Sequence, residues 1–182
     1  MKIYTISKDS VKPAIWHGGE TYEYFIHPVN SSYQNKDFQF RVSCATINKV
    51  PSIFTKFGNY DRFLVMLAGD LKISRNSFSE SYNEHQVFNF DSNDEIQSFS
   101  KGRDFNLMVS KNITKANVEI LDTEINSNKR FLVFYGLFDT VLLINKVSHA
   151  LGVNDCLIVD NSNEKRVLVK INQQVIFCSL SV

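Results

Sequence analysis

Apolar–polar alternation of period two recurs along almost the whole chain, and it limits the fold more than any other feature. A strand sends successive side chains to opposite faces, so a segment with this period buries a stripe only within a sheet. Over 38–45, Phe38, Phe40, Val42 and Cys44 take one face, and Gln39, Arg41, Ser43 and Ala45 take the other. Residues 21–26, 63–67, 71–74, 87–90, 105–109 and 118–121 read as further strands, with polar turns at 79–84 and 91–95. The last third continues with 131–135, 141–144, 157–159, 166–171 and 175–180. No segment reads as a helix longer than about two turns. Residues 147–151 read as one helical turn or an irregular loop. The 15 Phe and 7 Tyr suit strands better than helices. The spacing predicts an all-β protein.

Size and charge exclude several classes. A chain of 182 residues buries roughly 70% of the surface its unfolded form exposes, so no disulfide or metal is needed to hold it together. The 20 Lys and Arg against 19 Asp and Glu leave a formal charge of +1. That balance gives no electrostatic reason to expect nucleic acid or an anionic membrane as a partner. Cys44, Cys156 and Cys178 are far apart and form no Cys-x-x-Cys pair. They read as reduced structural thiols, and the expected compartment is the cytoplasm. Residues 1–10 lack the apolar core of a secretory signal. The longest apolar stretch, 131–144, is broken by Gly136 and Asp139 and is too short to span a bilayer.

Two segments repeat in order. Phe63-Leu64-Val65 leads to Gly69, and Phe131-Leu132-Val133 leads to Gly136. Val87-Phe88-Asn89-Phe90 runs into Asp91-Ser92-Asn93-Asp94-Glu95, and Cys156-Leu157-Ile158-Val159 runs into Asp160-Asn161-Ser162-Asn163-Glu164. The offset is 68 residues at the first match and 69 at the second. A duplicated β unit explains this order. Two such units, each too small to hide its own edges, are expected to form two sandwiches or barrels packed together.

The chemistry the chain supports is narrow. A metal centre needs three or four converging ligands, commonly two His on one strand face. His17, His27, His85 and His149 have no second His within four residues, so no metal site is expected. There is no Gly-x-Ser-x-Gly elbow, and Gly18-Gly19 is not followed by the Lys-Ser/Thr pair of a phosphate loop. What stands out is polar residues set into apolar strands. Arg41 and Ser43 share a face, as do Asp104, Asn106 and Met108, and Asp61-Arg62 immediately precedes an apolar strand. An arginine fork binds a carboxylate bidentately, and Ser and Asn orient what it holds. Converging, these residues would line a pocket for a small organic acid. They also read as structural ion pairs, Arg41 with Asp104 and Arg62 with Asp61.

At these positions the chain resembles the HutD family, to which the stress-induced protein Ves is related. The family's opening Trp, glycine-rich turn and Thr are matched by Trp16-His17-Gly18-Gly19-Glu20-Thr21. Its Trp-Arg-x-Ser-x-Ala strand is matched by Phe40-Arg41-Val42-Ser43-Cys44-Ala45. Its third motif is matched from Phe54 to Arg62, and its Asp-Phe-Asn-x-Met motif by Asp104-Phe105-Asn106-Leu107-Met108. The motif match covers Trp16 to Met108; after about Lys111 only the strand rhythm agrees. His17 stands where the family has Asn, Glu20 where it has Gly, and Phe40 where it has Trp.

The resemblance implies a bicupin, two packed cupin-like β-barrels of jelly-roll type in a single compact unit. Residues 1–115 would form the motif-bearing barrel and 116–182 the other, with strands open to exchange between them. It implies no metal and no cofactor, no proven enzymatic activity, and an association with histidine utilisation. The expected role is sensing an intermediate such as formylglutamate or urocanate. The candidate ligand-binding residues are Trp16, His17, Thr21, Arg41, Ser43, Arg62, Asp104, Asn106 and Met108. Arg41 is expected to pair the carboxylate, with Ser43, Thr21 and Asn106 orienting the ligand and Trp16 and Met108 as walls. Arg62 either touches ligand or braces the rim with Asp61. The rivals are a cupin-type isomerase or hydrolase using Asp104, Glu20 or His17, and a module whose aromatic residues cover a homodimer interface.

Overall fold

The computed structural model describes residues 1–113 and 115–182. Its strands begin with β1 (Lys2–Ile6), β2 (Ala14–Trp16), β3 (Gly19–His27), β4 (Phe40–Ile47), β5 (Ser52–Ile53) and β6 (Tyr60–Ala68). Then come β7 (Leu71–Arg75), β8 (Phe78–Tyr82), β9 (Val87–Asp91), β10 (Ile96–Ser98), β11 (Gly102–Ser110), β12 (Lys115–Leu121) and β13 (Ile125–Ser127). The series ends with β14 (Phe131–Gly136), β15 (Thr140–Ile144), β16 (Val147–Leu151), β17 (Cys156–Asp160), β18 (Val167–Lys170) and β19 (Val175–Ser181). Among the described residues the one helical element is a 3₁₀ turn, Lys8–Ser10. No helix there is long and apolar enough to cross a membrane. Cys44, Cys156 and Cys178 are buried thiols, and burial pushes the Cys178 thiol well above its ordinary range.

The chain divides into two compact units, Lys12–Asn112 and Met1–Val11 with Ile113–Val182. The first eleven residues thus join the C-terminal unit, because β1 pairs along its whole length with β17. The motif-bearing unit has a six-stranded sheet in the order β2-β3-β4-β11-β6-β9 and a four-stranded sheet β5-β10-β7-β8. The other unit has β1-β17-β14-β19-β12 and β13-β18-β15-β16. The order β4-β11-β6-β9 therefore recurs as β12-β19-β14-β17, and β5-β10-β7-β8 as β13-β18-β15-β16. The repeat read from short segments extends to the topology of both units.

The sheets are not closed barrels. Each ends on free edges, β2 and β9 in one sheet and β5 and β8 in the other, so the motif-bearing unit is a sandwich of two open sheets. Its interior holds Leu64, Met66, Leu71, Ile73, Phe88, Phe90 and Ile96, drawn from both sheets. The C-terminal unit buries Leu132, Phe134, Leu142, Ile144, Leu157, Val169 and Phe177 in the same way.

Two expected irregular segments are strands. Residues 147–151 form β16, and the predicted turn at 79–84 falls largely within β8. Both belong to two-residue hairpins. Asn76 and Ser77 link β7 to β8 with φ of 48° and 72°, and Asn145 and Lys146 link β15 to β16 with φ of 49° and 72°. Two consecutive left-handed residues are the tight turn whose twist matches the flanking strands, and neither turn announces itself with glycine.

Alternation on β4 also has an outcome the pattern does not show. Phe40, Val42 and Cys44 are buried as expected, but Arg41 and Ser43 are buried too, at 8% and 2% exposure. The polar face of this strand is turned into the sandwich, and there it makes a cavity.

Candidate functional site

Register builds the site. On β11, Asp104 lies opposite Ala45 and Met66, Asn106 opposite Ser43 and Leu64, and Met108 opposite Arg41 and Arg62. Residues directly opposite across strands share a face. The central strands therefore present three parallel rows, one with Arg41, Met108 and Arg62, one with Ser43, Asn106 and Leu64, and one with Ala45, Asp104 and Met66. On β3, Thr21 extends the last row and Glu23 the middle one, before a bulge between Glu23 and Phe25 shifts the register.

These rows floor a cavity of about 440 Å³ within the motif-bearing unit. Eight of the nine expected residues line it, namely Trp16, Thr21, Arg41, Ser43, Arg62, Asp104, Asn106 and Met108. The wall opposite comes from Ser52, Ile53, Phe54 and Thr55, with Tyr33 and Gln34. His17 is not part of the lining. It is exposed at the tip of the β2–β3 hairpin, whose pairing sets Trp16 against Gly19. Gly19 is required there, since a Cβ would lie 1.8 Å from the Thr46 carbonyl oxygen. Trp16 Nε1 donates to Thr21 Oγ1 at 3.2 Å, tying the edge strand to the lining.

Arg41 is held from three sides. Its Nε donates to Glu23 Oε2 at 2.6 Å and its Nη1 to Ser43 Oγ at 3.1 Å, and the guanidinium lies 4.5 Å from the centre of the Tyr33 ring. Its ion partner is therefore Glu23 and not Asp104. Arg62 lies between aromatic rings, 5.3 Å from Phe54 and 5.2 Å from Phe90. Its Nε is buried with no hydrogen-bond partner among the described residues, and the same holds for Oδ1 of Asp104 and of Asn106. Burial pushes the Asp104 carboxyl up to about 7, partly offset by the Arg62 charge. Burial likewise pulls Arg62 below its ordinary value against the attraction of Asp104, and an arginine so placed stays charged.

Glu23, Tyr33 and Phe54 are the contributors that the strand pattern alone passes over. Glu23 had one available signal, its position two residues after Thr21 on the same strand. Tyr33 lies in the irregular segment before β4, where no period exists to read.

The fold and site define an all-β, cupin-like protein with a polar-floored cavity in its motif-bearing unit. The family model HutD matches residues 8–177, so the chain belongs to the HutD family. HutD from Pseudomonas fluorescens SBW25, solved in a formate condition, superposes with a TM-score of 0.86 at 20% identity over 99% of this chain and 98% of that one. A conserved protein of unknown function from Pseudomonas aeruginosa PAO1 gives 0.85 at 18% identity, with 100% of each chain covered. The Escherichia coli pirin YhhW, in complex with nickel(II), gives 0.63 at 9% identity over 99% of each chain. No curated protein matches the sequence. The cavity does not fit a metal such as the pirin's nickel. Among the described residues no three His, Cys, Asp or Glu side chains group to hold an ion, and Asp104 is the one residue of these types in the lining.

Proposed function

We propose that the motif-bearing unit binds a small carboxylate-bearing metabolite, without metal or redox cofactor, in a sensing or regulatory role. One observation carries the reading: Arg62, half-buried and with a buried, unpartnered Nε, lines a largely apolar cavity together with a second, buried arginine, Arg41. Arginine in a site removed from water is the side chain best suited to hold a carboxylate. Ser43, Thr21 and Asn106 orient the ligand, and Trp16, Met108 and Phe54 enclose its apolar part. Family membership supports an intermediate of histidine utilisation, such as formylglutamate or urocanate, as the ligand. The recurring strand order supports a bicupin in which the second unit, with its apolar interior, is structural.

The test is a set of thermal shifts with imidazole and glutamate derivatives on the parent protein, Arg41→Ala and Arg62→Ala. A ligand that raises Tm of the parent and not of the variants supports the reading. A ligand that stabilises all three equally rules out the assigned arginines. A second reading, an acid–base enzyme of isomerase or hydrolase type, has Asp104 in its favour, since a carboxyl pushed up to about 7 in a cavity is suited to general base work. Turnover of a bound ligand, abolished in Asp104→Asn, would decide for it.

A further inference from the structure

We infer that Glu23 is a positioning residue of the site: from outside the cavity it fixes the Arg41 guanidinium, so that the remaining N–H groups of Arg41 serve a carboxylate inside. This rests on the carboxylate reading above and adds the residue on which the grip of Arg41 depends. Glu23 Oε2 accepts from Arg41 Nε at 2.6 Å, Ser43 Oγ accepts from Nη1 at 3.1 Å, and the Tyr33 ring lies 4.5 Å from the guanidinium. Two hydrogen bonds at its edges and a ring on its face hold a planar group in one orientation. They use two of its five N–H groups, so one on Nη1 and both on Nη2 stay available, and Arg41 lines the cavity. Glu23 does not line it, and its side chain keeps 40% exposure where that of Arg41 keeps 9%. It therefore acts on a ligand only through Arg41.

The strand places this carboxylate deliberately. Thr21 and Glu23 lie on one face of β3, opposite Ala45 and Ser43. Strict alternation would next set Phe25 opposite Arg41. The bulge sets Phe25 opposite Val42 and Ile26 opposite Arg41 instead, and Ile26 packs with Tyr33 and Met108. Glu23 is thus the last polar side chain on this face of β3, one row from Arg41, a diagonal that long side chains span. Two effects of opposite sign follow. The charge of Glu23 repels an incoming anion, and its hydrogen bond orients the arginine. The first is weakened by solvent at a half-exposed carboxylate. The second is undiminished, because a guanidinium whose Nε loses its acceptor is free to swing. Orientation therefore prevails, and removing this negative charge should weaken anion binding, the reverse of what charge alone dictates.

The experiment titrates the ¹⁵N-labelled full chain with acetate, glutamate and urocanate, in the parent, Glu23→Ala, Glu23→Gln and Arg41→Ala. Gln keeps an acceptor for the Nε–H and removes the charge. The expected result is that a probe bound through Arg41 binds Glu23→Ala about tenfold more weakly, the scale of one hydrogen bond to a charged group, and binds Glu23→Gln at least as tightly as the parent. The Nε–H resonance of Arg41, identified by its absence in Arg41→Ala, should be sharp in the parent and in Glu23→Gln and broadened by exchange with water in Glu23→Ala. Glu23→Thr, too short to reach Nε and well suited to a strand, takes the place of Glu23→Ala if that variant does not fold. Unchanged or tighter binding by Glu23→Ala overturns the positioning role and leaves the carboxylate site standing. So does a loss that Glu23→Gln does not repair, since the scaffold and not the acceptor would then be at fault. A probe that binds the parent and Arg41→Ala alike removes Arg41 from the carboxylate reading and the positioning role with it. Binding of none of the probes overturns the carboxylate reading itself.

Discussion

Replacing Asp104 by Asn removes a carboxyl that the fold keeps protonated far above its usual range, and the consequence for stability depends on pH in a defined direction. Asp104 is raised from 3.8 to about 7, chiefly by burial, with Arg62 pulling the other way. Near or below pH 3.8 the carboxyl is neutral in both the folded and unfolded chain, and it contributes nothing. As pH rises, the unfolded chain releases the proton first, so the folded state loses stability progressively. The loss is complete once pH passes about 7. That interval, at about 1.4 kcal/mol for each tenfold difference in proton affinity, sets an upper limit of about 4 kcal/mol. Asn has nearly the same shape and never ionises. The variant should therefore be more stable than the parent at pH 8.5 by up to about 4 kcal/mol, and the two should converge to within about 0.5 kcal/mol at pH 4. Urea denaturation of both proteins, followed by far-ultraviolet circular dichroism across that range, reads this directly. A stability difference that stays constant with pH would refute the reasoning, because it would mean that Asp104 titrates alike in both states.

Two further outcomes concern the scaffold around the cavity. Gly19→Ala would press a Cβ onto the Thr46 carbonyl, 1.8 Å away, so the β2–β3 hairpin must shift. A loss of more than about 2 kcal/mol is expected from such overpacking, with Trp16 fluorescence moving to longer wavelength as the edge strand lifts. Tyr60→Phe removes a buried hydroxyl that lies 2.8 Å from the carbonyl oxygens of both Lys36 and Phe38. The cost should be about 1–2 kcal/mol, with faster amide exchange at 36–39, where Tyr60 holds the segment leading into β4.

Much of this molecule was legible because its strands obey period two. The runs containing Phe40, Leu64, Phe88 and Phe105 all lie in sheets, and the 69-residue offset is the spacing of β7 to β9 from β15 to β17. Turn chemistry limited the rest. Asn76-Ser77 and Asn145-Lys146 adopt left-handed turns without glycine, so β8 and β16 carry no conspicuous signal. The partners of β1 lie 150 to 158 residues away in β17, a pairing that no local window reveals. Sheet closure was not legible either, since edges depend on which strands end a ladder and not on any one sequence.

At the site, spacing placed Arg41 with Ser43, and Asp104 with Asn106 and Met108, on common faces, and register brought those faces together. What spacing could not supply was the choice of partner. Arg41 satisfies Glu23 because β3 lies beside β4, while Asp104 is two strands away from Glu23 and left to Arg62. His17 shows the converse limit. It sits within a family motif, yet the hairpin turns it outward, and a motif position says nothing about direction where the backbone reverses.

The central claim is that a small acid binds in the cavity of the motif-bearing unit, on Arg62 and its neighbours. A titration of the ¹⁵N-labelled protein with urocanate, followed amide by amide, tests it most directly. The account predicts shifts concentrated at 41–45, 62–66 and 104–108, lost in Arg62→Ala. Shifts that map instead to 115–182, or that persist unchanged in Arg62→Ala, would contradict it.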